Sequence, residues 1–176
     1  MCVGVVLYSS ITPTDPSVET IAAAMENPQT AGQTISVNSM TSGEVEVVYQ
    51  SPNRGRVSLY LYNSNQDVLI VIDARYDWEG EKNKLVLNSK HANAPWDVPA
   101  EVHPKGFPFP CCGYVTTISL RVKIGDGDFT ISANGLEIAK YPYREGLHPP
   151  VTDIQCILDD GDAPMQAKIE SLSVYY

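Results

Sequence analysis

The sequence predicts an all-β fold, an antiparallel β-sandwich, and two observations support this prediction. Apolar residues recur at every second position in many short runs, as at Val45, Val47 and Tyr49, which is typical of strands with one buried face. Turn-forming residues separate these runs at regular intervals. Many short strands spaced in this way favour two packed antiparallel sheets.

The predicted strands follow one another along most of the chain. They are 2–9, 34–40, 44–50, 56–63, 67–76, 84–90, 115–124, 128–133, 136–141, 152–158 and 167–176. Three hairpin signals separate some of them: 125–128, Asn134-Gly135 and 159–162. Asn and Gly tolerate the positive φ angles of tight hairpins, so these segments predict turns between neighbouring antiparallel strands.

At 176 residues the chain has the size of one domain. Within it we predict two parts. Residues 1–42 form an N-terminal strand plus an insertion or linker packed on the sandwich, and residues 43–176 form the main sandwich. The one helical candidate is a short helix in the insertion, 17–25, which begins at a Pro-Ser pair and ends before an Asn-Pro pair.

Composition argues against several classes of partner. The formal net charge of −9 argues against a nucleic-acid backbone or an anionic membrane surface, since both require clustered Lys and Arg. No apolar run is long enough to span a membrane. The four cysteines lack metal-site spacing, so we expect free thiols and no metal. The first ten residues are typical of a strand and not of a signal peptide, which predicts a cytoplasmic location, an extracellular one reached by non-classical export, or both.

Polar side chains cluster on one face of the predicted sheet. In strand 67–76, Asp73 and Arg75 lie opposite the apolar row, Asn88 points the same way on the next strand, and Trp96 follows shortly after. A planar donor group, an amide and an indole together suit a saccharide, which needs fixed hydrogen-bond partners and an aromatic surface. The alternatives are a solvated ion pair, a locally satisfied amide and an indole that covers the core.

Three stretches of the chain carry motifs of a known type. Residues 129–144, FTISANGLEIAKYPYR, are similar to the pattern F-x-V-x-V-N-G followed by an aromatic residue and H-R. The segments VLNS at 86–89 and FPF at 107–109 flank Trp96 in the same order. These motifs resemble the galectin family of β-galactoside-binding lectins over about 43–176. The resemblance implies a two-sheet jelly-roll with the sugar lying across a concave sheet, no cofactor and no catalysis.

The resemblance also assigns site residues one by one. The family pattern H-x-N-x-R keeps its arginine as Arg75, whereas Asp73 stands in place of the asparagine and Val71 in place of the histidine. The next family asparagine falls on Asn88, and the stacking tryptophan falls on Trp96. The missing histidine removes a hydroxyl contact that selects galactose.

The sequence departs further from the next family pattern, W-x-x-E-x-R. Pro99 takes the position of its glutamate and Glu101 the position of its arginine. We expect Arg75 to pair with a carboxylate, Asp73 or, by preference, Glu101, and both carboxylates to accept sugar hydroxyls. Glu79 falls where some galectins place a loop histidine, which implies that it reaches a sugar hydroxyl.

These features predict a lectin that recognises β-galactoside-type or related glycans without catalysis, and they leave open whether lactose is bound. Two alternatives remain: a galectin-fold structural or protein-interaction module without sugar binding, and a jelly-roll glycoside hydrolase that uses the acidic residues at 77–81. The apolar terminal strands predict a homodimer that pairs through them.

Overall fold

The chain folds as two antiparallel sheets packed face to face. The computed structural model describes residues 18–19, 32–96, 101–102, 106–110, 116–159 and 168–176. The strands are β1 (Val18–Glu19), β2 (Thr34–Met40), β3 (Gly43–Gln50), β4 (Gly55–Tyr62), β5 (Val68–Asp77), β6 (Lys84–Lys90), β7 (Glu101–Val102), β8 (Thr117–Ile124), β9 (Asp128–Ala133), β10 (Leu136–Pro142), β11 (Val151–Asp159) and β12 (Lys168–Tyr175).

Within the described residues each sheet has six strands. The first sheet has the order β1-β12-β3-β8-β9-β10, and the second has the order β2-β11-β4-β5-β6-β7. Every paired register is antiparallel. Strands distant in sequence are neighbours in both sheets, and this arrangement is the predicted jelly-roll sandwich.

The core lies between the sheets and consists of one apolar row from each long strand. Leu59, Ile72 and Leu87 of the second sheet face Val47 and Leu120 of the first, and all five are fully buried. Burial of each such side chain stabilises the fold by about 1.5–3 kcal/mol. Because strand side chains alternate, the same burial turns the polar rows of β4, β5 and β6 outward.

A buried polar contact crosses this core between β3 and β5. The hydroxyl groups of Tyr49 in β3 and Tyr76 in β5 lie 2.9 Å apart, and both side chains are buried. Burial raises the pKa of each phenol, so both remain protonated. The pair therefore joins the two sheets by a neutral hydrogen bond.

Most predicted strands are confirmed. The bounds of β2, β6 and β9 match the prediction, and the remaining predicted strands within the described residues differ by one or two residues at an end. Predicted strand 2–9 lies outside the described residues. The two-residue strands β1 and β7 were not predicted, because two residues are too few to show an alternating pattern.

The predicted helix 17–25 is wrong at Val18 and Glu19, which form β1 against Val174 and Tyr175 of β12. A short helix is marginal in water, whereas an adjacent strand supplies backbone hydrogen-bond partners, and β-branched Val18 suits a strand. The rest of that prediction lies outside the described residues.

Two predicted turns are confirmed. Asn134 and Gly135 both have positive φ, 49° and 78°, between β9 and β10. The Gly125 N–H donates to the Asp128 carbonyl at 2.9 Å between β8 and β9. Most of 159–162 lies outside the described residues.

Strand β2 pairs with β11, so part of the predicted N-terminal segment belongs to the sandwich, and the boundary after residue 42 stays a prediction. Cys156 is a buried free thiol whose pKa burial raises to about 12. The other cysteines lie outside the described residues. In the described part of the chain no helix has the length and apolar character to cross a membrane.

Candidate functional site

The second sheet carries a polar face on β4, β5 and β6. Its register pairs Arg56 with Arg75, Ser58 with Asp73, Tyr60 with Val71, and Val71 with Asn88. Paired residues lie on the same face of a sheet, and the opposite face is the core. These side chains therefore point together, away from the core.

Beside this polar face lies a cavity of about 340 Å³. Its walls are formed by Arg56, Tyr60, Val71, Asp73, Arg75, Val86, Asn88 and Trp96. The indole of Trp96 belongs to a residue that is 42 % exposed, so it is open to solvent. The structure thus brings the guanidinium, the amide and the indole singled out from the sequence around one hollow, which we call the main cavity.

Arg75 is held by two carboxylates. Its Nε donates to Asp73 Oδ2 at 2.7 Å, and its Nη1 donates to Glu81 Oε2. Lys84 Nζ donates to the other oxygen of Glu81 at 2.8 Å. Burial alone would lower the pKa of Arg75, but the hydrogen bonds to Asp73 and Glu81 outweigh it and raise that pKa. Arg75 is therefore a fixed cation in the wall of the main cavity.

Asp73 is one carboxylate partner of Arg75, as predicted, and the preferred pairing of Arg75 with Glu101 stays a prediction. The backbone of Glu101 pairs with Leu87 across β6 and β7, and its side chain lies outside the described residues. Asp73 is favoured physically because it lies two residues from Arg75 on the same face of one strand. Its pairing requires no particular register between strands.

The register also explains why a carboxylate occupies position 73. Arg56 and Arg75 lie directly opposite each other, and like charges so placed repel. Asp73 Oδ2 lies 2.7 Å from Arg75 Nε and 3.8 Å from Arg56 Nη1, while its Oδ1 accepts the Ser58 hydroxyl at 2.6 Å. A neutral asparagine would supply hydrogen bonds but no charge to offset the two guanidinium groups.

A two-residue hairpin places Glu81 beside the main cavity. Trp78 and Glu81 exchange backbone hydrogen bonds of 2.8 and 2.7 Å, while Glu79 and Gly80 have φ of 47° and 81°. Positive φ at both central residues is the requirement of a type I′ turn. Hydrogen bonds from Lys84 and then Arg75 lower the pKa of Glu81, so it is ionised at neutral pH.

This hairpin separates the roles of the two glutamates. Glu79 is exposed at the tip and does not line the main cavity, so its contact with a sugar hydroxyl stays a prediction. Sequence reasoning missed Glu81, because only the reversal at Glu79-Gly80 returns the chain toward Arg75. The one local signal for this turn was Gly80, since glycine favours the positive φ angle that the centre of a tight hairpin requires.

Trp96 lies at the end of a segment, 91–96, that Asp67 anchors. Asp67 Oδ1 accepts the Ala92 N–H at 2.9 Å and lies 3.4 Å from His91 Nδ1, and its Oδ2 accepts Asn63 Nδ2 at 3.0 Å. The hydrogen bonds from Asn63 and then Ala92 lower the pKa of Asp67. Sequence reasoning missed this anchor, because residue 67 lies in a different loop.

Asn88 is oriented by a long-range contact. Its Oδ1 accepts the Ser89 N–H and Arg144 Nη1, both at 2.9 Å. The Arg144 guanidinium lies 5.4 Å from the ring centroid of Tyr141. These contacts fix the rotation of the amide, since the carbonyl oxygen is turned toward Arg144. Arg144 ends the motif at 129–144, so that motif contributes to the site.

Two tyrosines extend the polar face along β4. The rings of Tyr60 and Tyr62 stack with centroids 5.9 Å apart and planes 11° apart. The Tyr62 hydroxyl donates to Gln155 Oε1 at 2.8 Å, and burial raises its pKa to about 12. Of this pair, Tyr60 lines the main cavity.

The described side chains form no group of three or more His, Cys, Asp and Glu residues that could hold a metal ion. The main cavity offers the hydrogen-bond donors and acceptors, fixed charges and aromatic surface already described. Such groups bind a polar, hydroxyl-rich molecule with an apolar face.

Comparison with known proteins identifies the family. The family model named galactoside-binding lectin matches residues 20–168, which is most of the chain. The chain belongs to the galectin family. Galectins are non-catalytic lectins, so this galectin is a carbohydrate-binding protein and the glycoside hydrolase alternative is wrong.

Individual relatives agree with this assignment. A tetrameric galectin from the ball sponge Cinachyrella sp. has 60 % sequence identity and a TM-score of 0.78, covering 82 % of this chain and 99 % of that one. Galectin b of Aplysina lactuca is 26 % identical over 75 % of this chain and 88 % of its own length. CG-16, a homodimeric agglutinin from chicken liver, is 17 % identical with a TM-score of 0.63, covers 81 % of this chain and 98 % of its own, and supports the fold alone.

Proposed function

We propose that this galectin binds β-galactoside-type or related glycans in the main cavity of its second sheet. The observation that supports this proposal most directly is the convergence of Arg75, Asn88 and Trp96 on one open hollow. Each side chain supplies a different element of sugar recognition. The guanidinium donates hydrogen bonds, the amide donates and accepts, and the indole packs on the C–H face of a pyranose.

The carboxylates complete the proposed contacts. Asp73 receives hydrogen bonds from Ser58 and Arg75, and an ionised carboxylate has lone pairs enough to accept a sugar hydroxyl as well. Glu101 and Glu79 accept further hydroxyls from β7 and from the hairpin tip. In this arrangement Arg75 binds the sugar, while Asp73 and Glu81 hold the guanidinium of Arg75 in place.

Specificity departs from lactose in this proposal. Val71, which is only 5 % exposed, presents an apolar side chain where the family pattern has a histidine. Pro99 cannot supply the carboxylate of the family glutamate or a backbone N–H. Both changes remove polar contacts to galactose, so lactose binds weakly and the preferred glycan carries groups that make contacts elsewhere.

The test is a fluorescence titration with lactose and a panel of galactose-containing glycans, made in a Trp78→Phe background so that Trp96 is the only indole. We expect Trp96→Ala to weaken binding about tenfold or more and Trp96→Phe to retain part of it. Glycan-array binding reports on both variants, since neither has an indole in this background. Equal binding by Trp96→Ala and its parent would contradict the stacking role. Binding to no glycan at all would favour a structural or protein-interaction module.

The same proposal includes self-association through the edge of the first sheet. The sponge galectin with 60 % sequence identity is a tetramer, and single lectin sites gain avidity when several act together. Among the described residues β1 pairs with Val174 and Tyr175 of β12, and we expect a second chain to pair along the remaining outer edge of β12. Light scattering after size exclusion tests this, and a monomer at all concentrations would contradict it.

A further inference from the structure

A second cavity also has the tryptophan in its wall. It has a volume of about 550 Å³, and its walls are formed by Lys90, His91, Ala94, Pro95, Trp96, Arg144, Glu145, Gly146 and Leu147. Trp96 lines both cavities, so one indole is their common wall. A hydrogen bond also connects the walls of the two cavities. Arg144, which lines the second cavity, donates from its Nη1 to Oδ1 of Asn88, which lines the main cavity.

The second cavity is basic in a protein that is acidic. Lys90 and Arg144 are basic side chains, and both are partly buried. Lys90 Nζ lies 5.0 Å from the centroid of the Trp96 ring. Only one lining residue is acidic, the exposed Glu145, whereas the chain as a whole has a net charge of −9. Charges interact more strongly beside low-polarity walls such as an indole, Pro95 and buried Leu147.

We propose that this cavity binds an anionic substituent, a sulfate ester or a carboxylate, carried by the glycan whose sugar stacks on Trp96. The inference rests on the proposed function. A guanidinium and an ammonium bind an oxyanion with charge-assisted hydrogen bonds, whereas a neutral hydroxyl gains much less from them. Because Trp96 lines both cavities, a substituent on the sugar that stacks on Trp96 extends into the second cavity.

The charge of the cavity can be altered in both directions without touching the core. Lys90→Met removes the cation but keeps an unbranched stem against the indole, and Glu145→Gln removes the one acidic side chain. Lys140→Met makes the same change as the first variant at an exposed position of β10, in the other sheet, and serves as the matched control. Arg144 is left unchanged because it orients Asn88.

The experiment measures affinities by calorimetry for three ligands: a neutral galactoside and the same compound bearing a sulfate ester or a carboxylate. We expect at least one acidic ligand to bind the parent protein about three- to tenfold more tightly than the neutral one at low salt. Lys90→Met should remove most of that preference and Glu145→Gln should increase it. Neither variant nor Lys140→Met should change the affinity for the neutral ligand.

The outcomes separate the inference from the proposed function. If the neutral ligand binds and neither acidic ligand is preferred, or if Lys90→Met behaves like Lys140→Met, the inference is wrong and the proposed function stands. If only an acidic ligand binds and its binding depends on Lys90, the inference is supported. If no ligand binds, both fail. The sulfate and carboxylate arms show which oxyanion is preferred.

Discussion

At the scale of single residues, we expect position 71 to be the clearest determinant of sugar preference. Val71 is buried in the wall of the main cavity, between β4 and β6, and its cross-strand partners are Tyr60 and Asn88. An isopropyl group there offers no hydrogen bond to a sugar hydroxyl. The family histidine offers one, so we expect the identity of this side chain to control the affinity for galactose.

We predict that Val71→His raises the affinity for lactose about three- to tenfold, the effect of one added hydrogen bond. Isothermal titration with lactose measures this. Val86→His is the matched control, since Val86 is a buried valine of the same cavity at a position where the resemblance assigns no sugar contact. An unchanged affinity in a folded Val71→His protein would show that the missing histidine does not limit lactose binding.

Glu81 gives the site a defined pH dependence. Its pKa lies below the ordinary value of 4.5 because Lys84 and Arg75 stabilise the carboxylate. A depressed pKa adds stability that is present above pH 4.5 and is lost as the pH falls through the folded-state pKa. We expect Glu81→Gln to lower the free energy of unfolding by about 0.5–1 kcal/mol at pH 7 and by much less at pH 3.

Urea unfolding of the parent and the variant at both pH values checks this prediction. Glu137→Gln, which removes an exposed carboxylate of β10, is the control and should change neither value. A Glu81→Gln effect of the same size at pH 3 and pH 7 would show that the carboxylate does not act through its charge.

Sequence reasoning found those residues of the main cavity whose sheet face follows from the alternation of apolar and polar residues along a strand. Arg75, Asp73 and Asn88 follow from the period of two and from the apolar rows beside them. Glu81 and Asp67 could not be found in this way, because their positions depend on a left-handed turn and on contact between two loops. Those features arise from tertiary packing and leave only a weak local pattern.

At the scale of elements, the segment 91–96 and the hairpin 78–81 position the parts of the site that the strands do not. The strands fix Arg75 and Asn88, but Trp96 depends on how its segment is attached. That attachment is the buried Asp67, which accepts the Ala92 N–H and an amide hydrogen of Asn63. The turn after β4 therefore supports the aromatic wall.

We predict that Asp67→Ala lowers the free energy of unfolding by about 1–3 kcal/mol, since it leaves buried donors without partners. It should also weaken glycan binding, because the Trp96 segment loses its anchor. Urea unfolding and hydrogen exchange of residues 91–96 measure the two effects. Asp126→Ala, in the exposed β8–β9 turn, is the control. Unchanged exchange in 91–96 would show that other contacts hold the segment.

At the scale of the whole molecule, the two sheets are joined by apolar packing and by buried hydroxyl hydrogen bonds, among them the Tyr49–Tyr76 pair. Alternation in the sequence identified the apolar rows, and family motifs indicated the jelly-roll order. Neither could reveal this phenol pair, because tyrosines in core rows differ from other aromatic residues only through a partner on the opposite sheet.

We predict that Tyr49→Phe and Tyr76→Phe each cost about 1–2 kcal/mol of unfolding free energy, since each leaves a buried hydroxyl without its partner. The double variant should cost clearly less than the sum, because neither hydroxyl then remains to be satisfied. A double-mutant cycle from urea unfolding measures the coupling. Strictly additive costs would mean that the hydroxyl groups do not stabilise each other.

The position of Trp96 between two hollows also limits how this lectin can evolve. A mutation of that indole alters both compartments at once, so neither can change its preference independently there. Divergence toward new glycans must instead proceed through positions that line one cavity only, such as Val71 in the main cavity and Lys90 in the second cavity. We therefore expect descendants of this chain to vary at those two positions while position 96 stays aromatic.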